Sequence, residues 1–256
     1  MKTSALAFKT AIENHYTDDN DLVSIDRDPS VDSSGNLLMH TGGYYSLLAE
    51  LDEHENQALT FADRKRFREA VDRCAVTGTD GKPIHGLYYR SPTKHDDQEQ
   101  DDYEMLAAGS YHAGLDVATS IVRYGETTSW CYDVKNPGKK NLEFSHDRFP
   151  GLVDFYQVCA LRPVSVWGLI LLFITLWLKI YSSSSSTRFK TYIKFTVLRR
   201  VYGLPFCFLH WLASRTFTKK FGSVGSAFKD YFVADKATGV PHPITEIDYS
   251  LIRSWL

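Results

Sequence analysis

The densest group of ionisable side chains is an acidic run that leads into a predicted helix. It reads His95-Asp96-Asp97-Gln98-Glu99-Gln100-Asp101-Asp102. Two carboxylates held across a cleft can act as general acid and general base, which is how most enzymes hydrolyse glycosidic bonds. Asp97 and Asp102 are the candidate catalytic pair. The alternative is structural, because acidic residues at the start of a helix accept hydrogen bonds from its free N–H groups and complement its dipole.

A second polar group precedes another predicted helix. The segment His40-Thr41-Gly42-Gly43-Tyr44-Tyr45 places two glycines ahead of a helix expected over residues 44–54. Glycine allows a ligand to approach backbone N–H groups at a helix N-terminus, so His40 and Tyr44 are candidate ligand contacts. A loop that joins a helix without any ligand explains the same residues.

Asp28 and Trp130 complete the candidate ligand-binding set. Trp130, with Tyr132 and Asn136 nearby in sequence, suits the wall of a sugar-binding cleft, and packing in the core is its alternative. Asp28 precedes Pro29, where an aspartate is also a common turn former. Both interpretations stay open for each residue.

The chain lacks the spacing of common metal, cofactor and nucleotide motifs. Its four cysteines, Cys74, Cys131, Cys159 and Cys207, lie far apart, and no His or Cys pair has metal-ligand spacing. No phosphate loop, Gly-x-Ser-x-Gly or His-Glu-x-x-His pattern occurs. Lys and Arg are not interleaved with aromatic residues as in nucleic-acid modules. We therefore expect no metal, no cofactor and no nucleic-acid partner, with reduced thiols.

Charge divides the chain into an acidic front and a basic back. Residues 1–161 carry 27 Asp and Glu against 16 Lys and Arg, a net charge of -11, and residues 162–256 carry 4 against 13, a net charge of +9. We predict an acidic helical-hairpin domain over 1–161 and a basic, apolar helical region over 162–256 that packs on it or contacts a membrane.

An uncharged stretch, Pro163 to Leu178, opens the basic region. As a helix, 16 residues span about 24 Å, less than the roughly 30 Å of a hydrocarbon core. Trp167, Trp177 and Tyr181 near its ends, with basic residues after it, favour a membrane. Its shortness favours a helix buried in a core. The sequence therefore leaves two predictions: a helix buried in the core, which the length favours, or contact of residues 164–181 with an unidentified protein partner or a membrane.

Hydrophobic periodicity predicts a mainly α fold. The tripeptide Arg-x-Pro recurs at Arg27, Arg90 and Arg148, each time ahead of a tyrosine-containing helix, and a period near 60 is typical of helical hairpins arranged around an axis. We predict hairpins in a partial α/α toroid, a turn over 77–83, a strand or hairpin over 127–134, and an interruption at Leu204-Pro205. Helices are expected over residues 4–16, 44–54, 61–74, 102–124 and 150–161.

Short segments throughout the chain resemble a group of uncharacterised proteins encoded by tailed bacteriophages. The segments are Asp26-Arg27-Asp28-Pro29, Ser33-Ser34-Gly35-Asn36, Gly86-Leu87-Tyr88-Tyr89-Arg90-Ser91-Pro92, Asp101-Asp102-Tyr103, Tyr124-Gly125, Asn136-Pro137, Arg148-Phe149-Pro150, Tyr231-Phe232 and His242-Pro243. The group has no assigned activity, so no catalytic residue carries over. The resemblance implies a virus-encoded protein in the host cytoplasm or the virion.

Two function hypotheses follow. The first is a phage accessory or structural protein without a reaction of its own, which acts through partner or membrane contact and associates with the inner membrane through 164–181. The second is a carbohydrate-active α/α-toroid enzyme that uses Asp97 and Asp102. Secretion is not expected, because the apolar patch that ends at Phe8 is shorter than a signal-peptide core.

Overall fold

The computed structural model describes residues 9–10, 12–14, 17–19, 21–23, 37–55, 59–93, 95, 100–182, 185–204 and 206–221. The fold of these residues is mainly helical, as predicted, with one two-stranded antiparallel sheet. The helices are α1 (Leu37–Glu55), α2 (Phe61–Arg73), α3 (Gln100–Ala113), α4 (Val117–Thr128), α5 (Leu152–Cys159), α6 (Val166–Ile180), α7 (Ser185–Tyr202) and α8 (Phe206–Phe221), and the strands are β1 (Ala75–Thr77) and β2 (Pro83–Tyr88).

Helix α2 begins where its sequence predicts. The Thr60 hydroxyl accepts a hydrogen bond from the Asp63 backbone N–H, and the Asp63 carboxylate accepts one from the Thr60 N–H at 2.7 Å, which forms a capping box. Burial alone would raise the pKa of Asp63, but hydrogen bonds from Lys9, Thr60 and Arg66 lower it to about 2. The cap fixes the start of α2, and the hydrogen bonds from Lys9, Thr60 and Arg66 together keep Asp63 ionised.

Residues 102–124 form two helices, so the prediction of one long helix is wrong. Helix α3 ends at Ala113, and Gly114 has a φ of +67°, which glycine adopts without a Cβ penalty. The Ser110 hydroxyl donates to the Leu115 carbonyl and accepts from the Ala118 N–H, both at 3.0 Å. This side chain satisfies backbone groups that the break would otherwise leave without partners.

The only sheet in the described residues lies at a turn, not at the predicted strand. The turn expected over 77–83 connects β1 and β2, whereas residues 117–128 are the helix α4 and Cys131 makes only an isolated bridge with Ser145. The strand prediction over 127–134 is therefore wrong. Ser129, with a φ of 55°, ends α4 in the left-handed conformation and redirects the chain before a strand can form.

Helix α7 lies at the centre of the helical packing. It contacts α1, α3, α5, α6 and α8. Most of its apolar side chains are buried, and the interruption predicted at Leu204-Pro205 falls between α7 and α8. The division at residue 161 and the toroidal arrangement stay predictions. The buried apolar side chains of α7 are Phe189, Tyr192, Ile193, Phe195, Val197 and Leu198.

Candidate functional site

Asp102, one of the two candidate catalytic residues, is buried in the first turn of α3. It has no exposed surface, and its Oδ2 lies 3.6 Å from the Arg90 Nε. A carboxylate in the first turn also complements the helix dipole, as the structural alternative requires. Asp97 lies outside the described residues. Asp102 thus occupies a charge-paired core position, and the catalytic assignment stays a prediction.

The premise of a ligand site at Gly42-Gly43 is wrong. Helix α1 begins at Leu37, so both glycines lie inside the helix and not ahead of it. His40 and Tyr44 are buried on α1, and burial, assisted by Lys190, lowers the pKa of His40 to about 3. As ligand contacts these residues stay predictions, without the helix N-terminus that motivated them.

Of the two remaining ligand candidates, Trp130 and Asp28, only Trp130 lies in the described residues. Trp130 follows α4 with a φ of 61° and is half-buried against the core. Its carbonyl accepts a hydrogen bond from the His146 N–H at 2.9 Å, and Tyr132, its neighbour in the proposed cleft wall, is buried. Asp28 lies outside the described residues. Trp130 therefore helps to close a loop against α4.

A buried aromatic cluster around His146 was not predicted from the sequence. The ring of Tyr132 lies 4.5 Å from those of both His146 and Tyr103, measured between centroids, and His146 Nδ1 lies 3.0 Å from the Tyr156 hydroxyl. Burial lowers the pKa of His146 to about 3, so the imidazole is neutral at physiological pH. The cluster joins α3, α5 and the loop before α5, and sequence spacing gave no sign that these residues would meet.

Ion pairs connect the basic helix α7 to acidic residues of the front. Lys194 contacts Glu104 of α3, and Arg199 Nη2 lies 2.8 Å from Glu50 Oε1 of α1. Arg200 also reaches Glu50, at 3.4 Å. These three cationic groups are therefore paired with carboxylates of the front, Lys194 in the core and the two arginines at partly buried positions.

Within the described part of the chain, no group of three His, Cys, Asp or Glu side chains is placed to hold a metal ion. The buried thiols there are Cys74, Cys131 and Cys159. Burial raises the pKa of Cys74 to about 12 and raises that of Cys159 as well, so both are thiols, not nucleophilic thiolates.

Helix α6 presents an apolar face to solvent. Along one stripe, at intervals of three and four residues, its side chains are exposed, with Trp167 75% and Leu178 70% exposed. The opposite stripe packs on the protein through Gly168, Leu172 and Leu176. A monomeric soluble protein rarely leaves so many large apolar side chains together in water. We call the exposed stripe the outer face of α6; it comprises Trp167, Ile170, Leu171, Ile174 and Leu178, with Tyr181 just after the helix.

Two glycines hold α6 close against α5. A Cβ on Gly168 would lie 2.1 Å from Asp154 Oδ1, and a Cβ on Gly151 would lie 3.0 Å from the Cα of Leu172. Ser165 caps α6 by accepting a hydrogen bond from the Gly168 N–H at 3.0 Å. The contact of Gly151 with the Leu172 backbone and that of Gly168 with the Asp154 side chain fix the rotation of α6 about its axis, and that rotation directs the outer face into solvent.

The uncharged stretch is thus neither wholly buried nor long enough to span a bilayer. Among the helices of the described residues, none combines the length and the apolar character needed to cross a membrane. The expected length of α6, with 15 residues, is about 22 Å. The sequence predicted either burial or membrane contact for 164–181, and the structure gives α6 one buried face and one exposed face.

No protein-family model, no curated protein and no solved structure matches the chain.

Proposed function

We propose that the protein acts by contact and not by catalysis, and that it binds peripherally to a lipid surface through the outer face of α6. The observation that carries this proposal is the exposure of a complete apolar stripe on a helix whose opposite stripe is packed on the core. A helix with this division lies in the plane of a membrane interface, with its apolar stripe among the acyl chains.

The ends of the outer face support a lipid surface as its partner. Trp167 lies at the start of α6 and Tyr181 follows its last residue, and both are exposed. Tryptophan and tyrosine concentrate at the level of the lipid headgroups, because their rings are apolar and their N–H and O–H groups are polar. Transfer of a fully exposed Leu or Ile side chain from water to an apolar medium stabilises binding by about 1.5–3 kcal/mol.

The burial of Asp102 also supports a contact function. A substrate sugar must touch the carboxyl groups that cleave it. Asp102 has no exposed surface and is charge-paired with Arg90. The resemblance to phage proteins supports the type of protein and the location that we propose. The protein would be an accessory or structural protein in the host cytoplasm or the virion that associates with the inner membrane.

The proposal is tested by flotation of the full chain with vesicles of phosphatidylcholine and phosphatidylglycerol. The double variant Leu171→Gln/Ile174→Gln removes two apolar side chains from the outer face and should weaken vesicle binding at least about tenfold. Leu142→Gln is the matched control, because Leu142 is 78% exposed on a short 3₁₀ turn outside α6, and it should bind as the wild type does.

Two results would contradict the proposal. One is a wild-type chain that stays below the vesicles at every lipid concentration. The other is a wild-type dimer that Leu171→Gln/Ile174→Gln converts into a monomer without any change in flotation, since the outer face would then be an interface between two copies. Circular dichroism of each variant shows whether the helical fold is retained.

A further inference from the structure

Helix α8 also carries outward aromatic side chains, and these are joined to a cation. Phe208 and Trp211 are exposed, with their rings stacked 5.8 Å apart between centroids, and the guanidinium of Arg215 lies 5.0 Å above the Trp211 ring. The three residues are separated by three and four positions, so they share one stripe of the helix. The opposite stripe, which includes Phe206 and Leu209, is buried.

The part of the chain that contains this stripe lacks acidic residues altogether. Between Asp154 and Asp230 the sequence has no Asp or Glu and has 11 Lys and Arg. Three of the cations, Lys194, Arg199 and Arg200, pair with glutamates of the front. Lys179 at the end of α6 and Arg215 on α8 are exposed.

The two exposed apolar stripes belong to helices that touch. Helix α8 packs against both α6 and α7. An arginine stacked on an interfacial tryptophan keeps its charge at headgroup depth while the ring contacts the acyl boundary. A surface of exposed cations and aromatic rings complements a negatively charged lipid surface, where each Lys or Arg strengthens binding about fivefold.

We infer that the Phe208–Trp211–Arg215 stripe of α8 is a second lipid contact and that it makes binding selective for anionic phospholipids. This inference rests on the proposed function, to which it adds the lipid class and the residues that recognise it. The ring pair contributes apolar contact from a helix that packs against α6, and the Arg215 guanidinium binds the lipid phosphate with several N–H donors. An aromatic ring under an arginine also suits single-stranded nucleic acid, but the neighbouring apolar face of α6 favours lipid.

The test compares binding of the full chain to vesicles of phosphatidylcholine alone and to vesicles that also contain phosphatidylglycerol. The wild type should bind the anionic vesicles at least about fivefold more tightly, and added salt should reduce the difference. Arg215→Gln should weaken binding to anionic vesicles about fivefold and leave binding to phosphatidylcholine unchanged. Arg215→Lys, which keeps the charge, should retain most of the selectivity.

The matched control is Arg123→Gln, which removes an exposed arginine from α4 in the acidic front and should not alter selectivity. Equal binding of the wild type to both vesicles, or an Arg215→Gln variant that is as selective as the wild type, would overturn this inference and leave the role of α6 intact. A wild-type chain that binds neither vesicle would overturn both. Tighter binding to a single-stranded oligonucleotide than to anionic vesicles, weakened by Arg215→Gln, would also overturn the lipid assignment.

Discussion

Gly42 and Gly109 touch backbone to backbone where α1 crosses α3. A Cβ on Gly109 would lie 2.6 Å from the Gly42 carbonyl oxygen, and a Cβ on Gly42 would lie 2.4 Å from the carbonyl oxygen of Met105. Backbone atoms in a helix cannot rotate away from such a contact. The crossing therefore depends on the absence of both side chains, and it positions the two helices that carry Glu50 and Glu104, the partners of α7.

Gly109→Ala should destabilise the fold although alanine is the better helix former. The intrinsic preference favours alanine by about 1 kcal/mol, but a Cβ that meets the Gly42 backbone should cost about 3 kcal/mol, the upper end for an overpacked core, so we expect a net loss of about 2 kcal/mol in the free energy of unfolding. Urea denaturation measures the change. Arg123→Ala, at an exposed position of α4, is the control and should change stability by less than about 0.5 kcal/mol. A Gly109→Ala protein as stable as the wild type would disprove the close crossing.

Acid should destabilise the protein through its buried histidines. Burial lowers the pKa of His146 to about 3 from 6.5, and it lowers the pKa of His40 to a similar value. A histidine whose pKa is lower in the folded state takes up its proton more readily in the unfolded chain. Its stabilising contribution is therefore complete above pH 6.5 and is lost as the pH falls from there towards 3.

The variant His146→Gln should reduce this acid sensitivity. Each buried histidine contributes up to about 1.4 kcal/mol per pH unit to the slope of stability against pH, so the variant should have a shallower slope below neutral pH than the wild type. Chemical denaturation at a series of pH values measures it. His85→Gln, which changes an exposed histidine of β2, is the control for the loss of an imidazole outside the core. Equal slopes for the wild type and His146→Gln would exclude His146 as a source.

Removal of one charged partner from the Lys194–Glu104 ion pair should strongly lower the free energy of unfolding. Burial lowers the pKa of Lys194, while the contact with Glu104 opposes that change. Glu104→Gln leaves a buried ammonium without its counter-charge, for which we expect a loss of about 3–5 kcal/mol in thermal or urea unfolding. The double variant Glu104→Leu/Lys194→Met should be markedly more stable than Glu104→Gln alone, because no buried charge remains.

The surface pair Lys65–Glu69 is the comparison for this prediction. Its N···O distance is 3.7 Å and its side chains are 67% and 45% exposed. Solvent screens such a pair, so Glu69→Gln should cost less than about 0.5 kcal/mol. Similar costs for Glu69→Gln and Glu104→Gln would mean that the Lys194 pair is not effectively buried.

Substitutions at Asp154 and Gly168 should have non-additive effects on the free energy of unfolding. A methyl group at position 168 would displace the Asp154 carboxylate, which is the end of a side chain, so Gly168→Ala should destabilise the wild type by about 1 kcal/mol. In an Asp154→Ala background the collision is removed and the same substitution should cost less, which gives a coupling of at least about 0.5 kcal/mol in a double-mutant cycle. If the effects of the two substitutions on stability were additive, Gly168 and Asp154 would not be in contact, and α6 would lie farther from α5 than in the structure.

Helix ends with local signals were predictable, and those without them were not. The cap Thr60–Asp63 gave the start of α2 correctly, since a capping box is a contact within four residues. The start of α1 was placed at Tyr44 in place of Leu37, because Gly42-Gly43 is typical of a loop when no neighbour is known. Only the crossing with α3 makes those glycines useful inside a helix.

The candidate sites were harder to predict than the helices. Catalytic and ligand-binding roles depend on exposure and on distances between residues far apart in sequence. Asp102 and His40 are buried, and the cluster of His146 with Tyr132 and Tyr156 brings together residues from separate elements. None of these relations follows from the spacing of residues along the chain.

The sequence by itself determined that the chain is mainly helical, that α2 is capped at Thr60, and that an uncharged helix follows Pro163, because periodicity, capping and local charge act within one or two turns. Tertiary structure alone decided that α1 and α3 cross at two glycines and that one stripe of α6 is exposed. The segment from 163 to 178 is apolar on every side, so no polar stripe marks which face is outward. The contacts of Gly151 and Gly168 with neighbouring elements set that orientation.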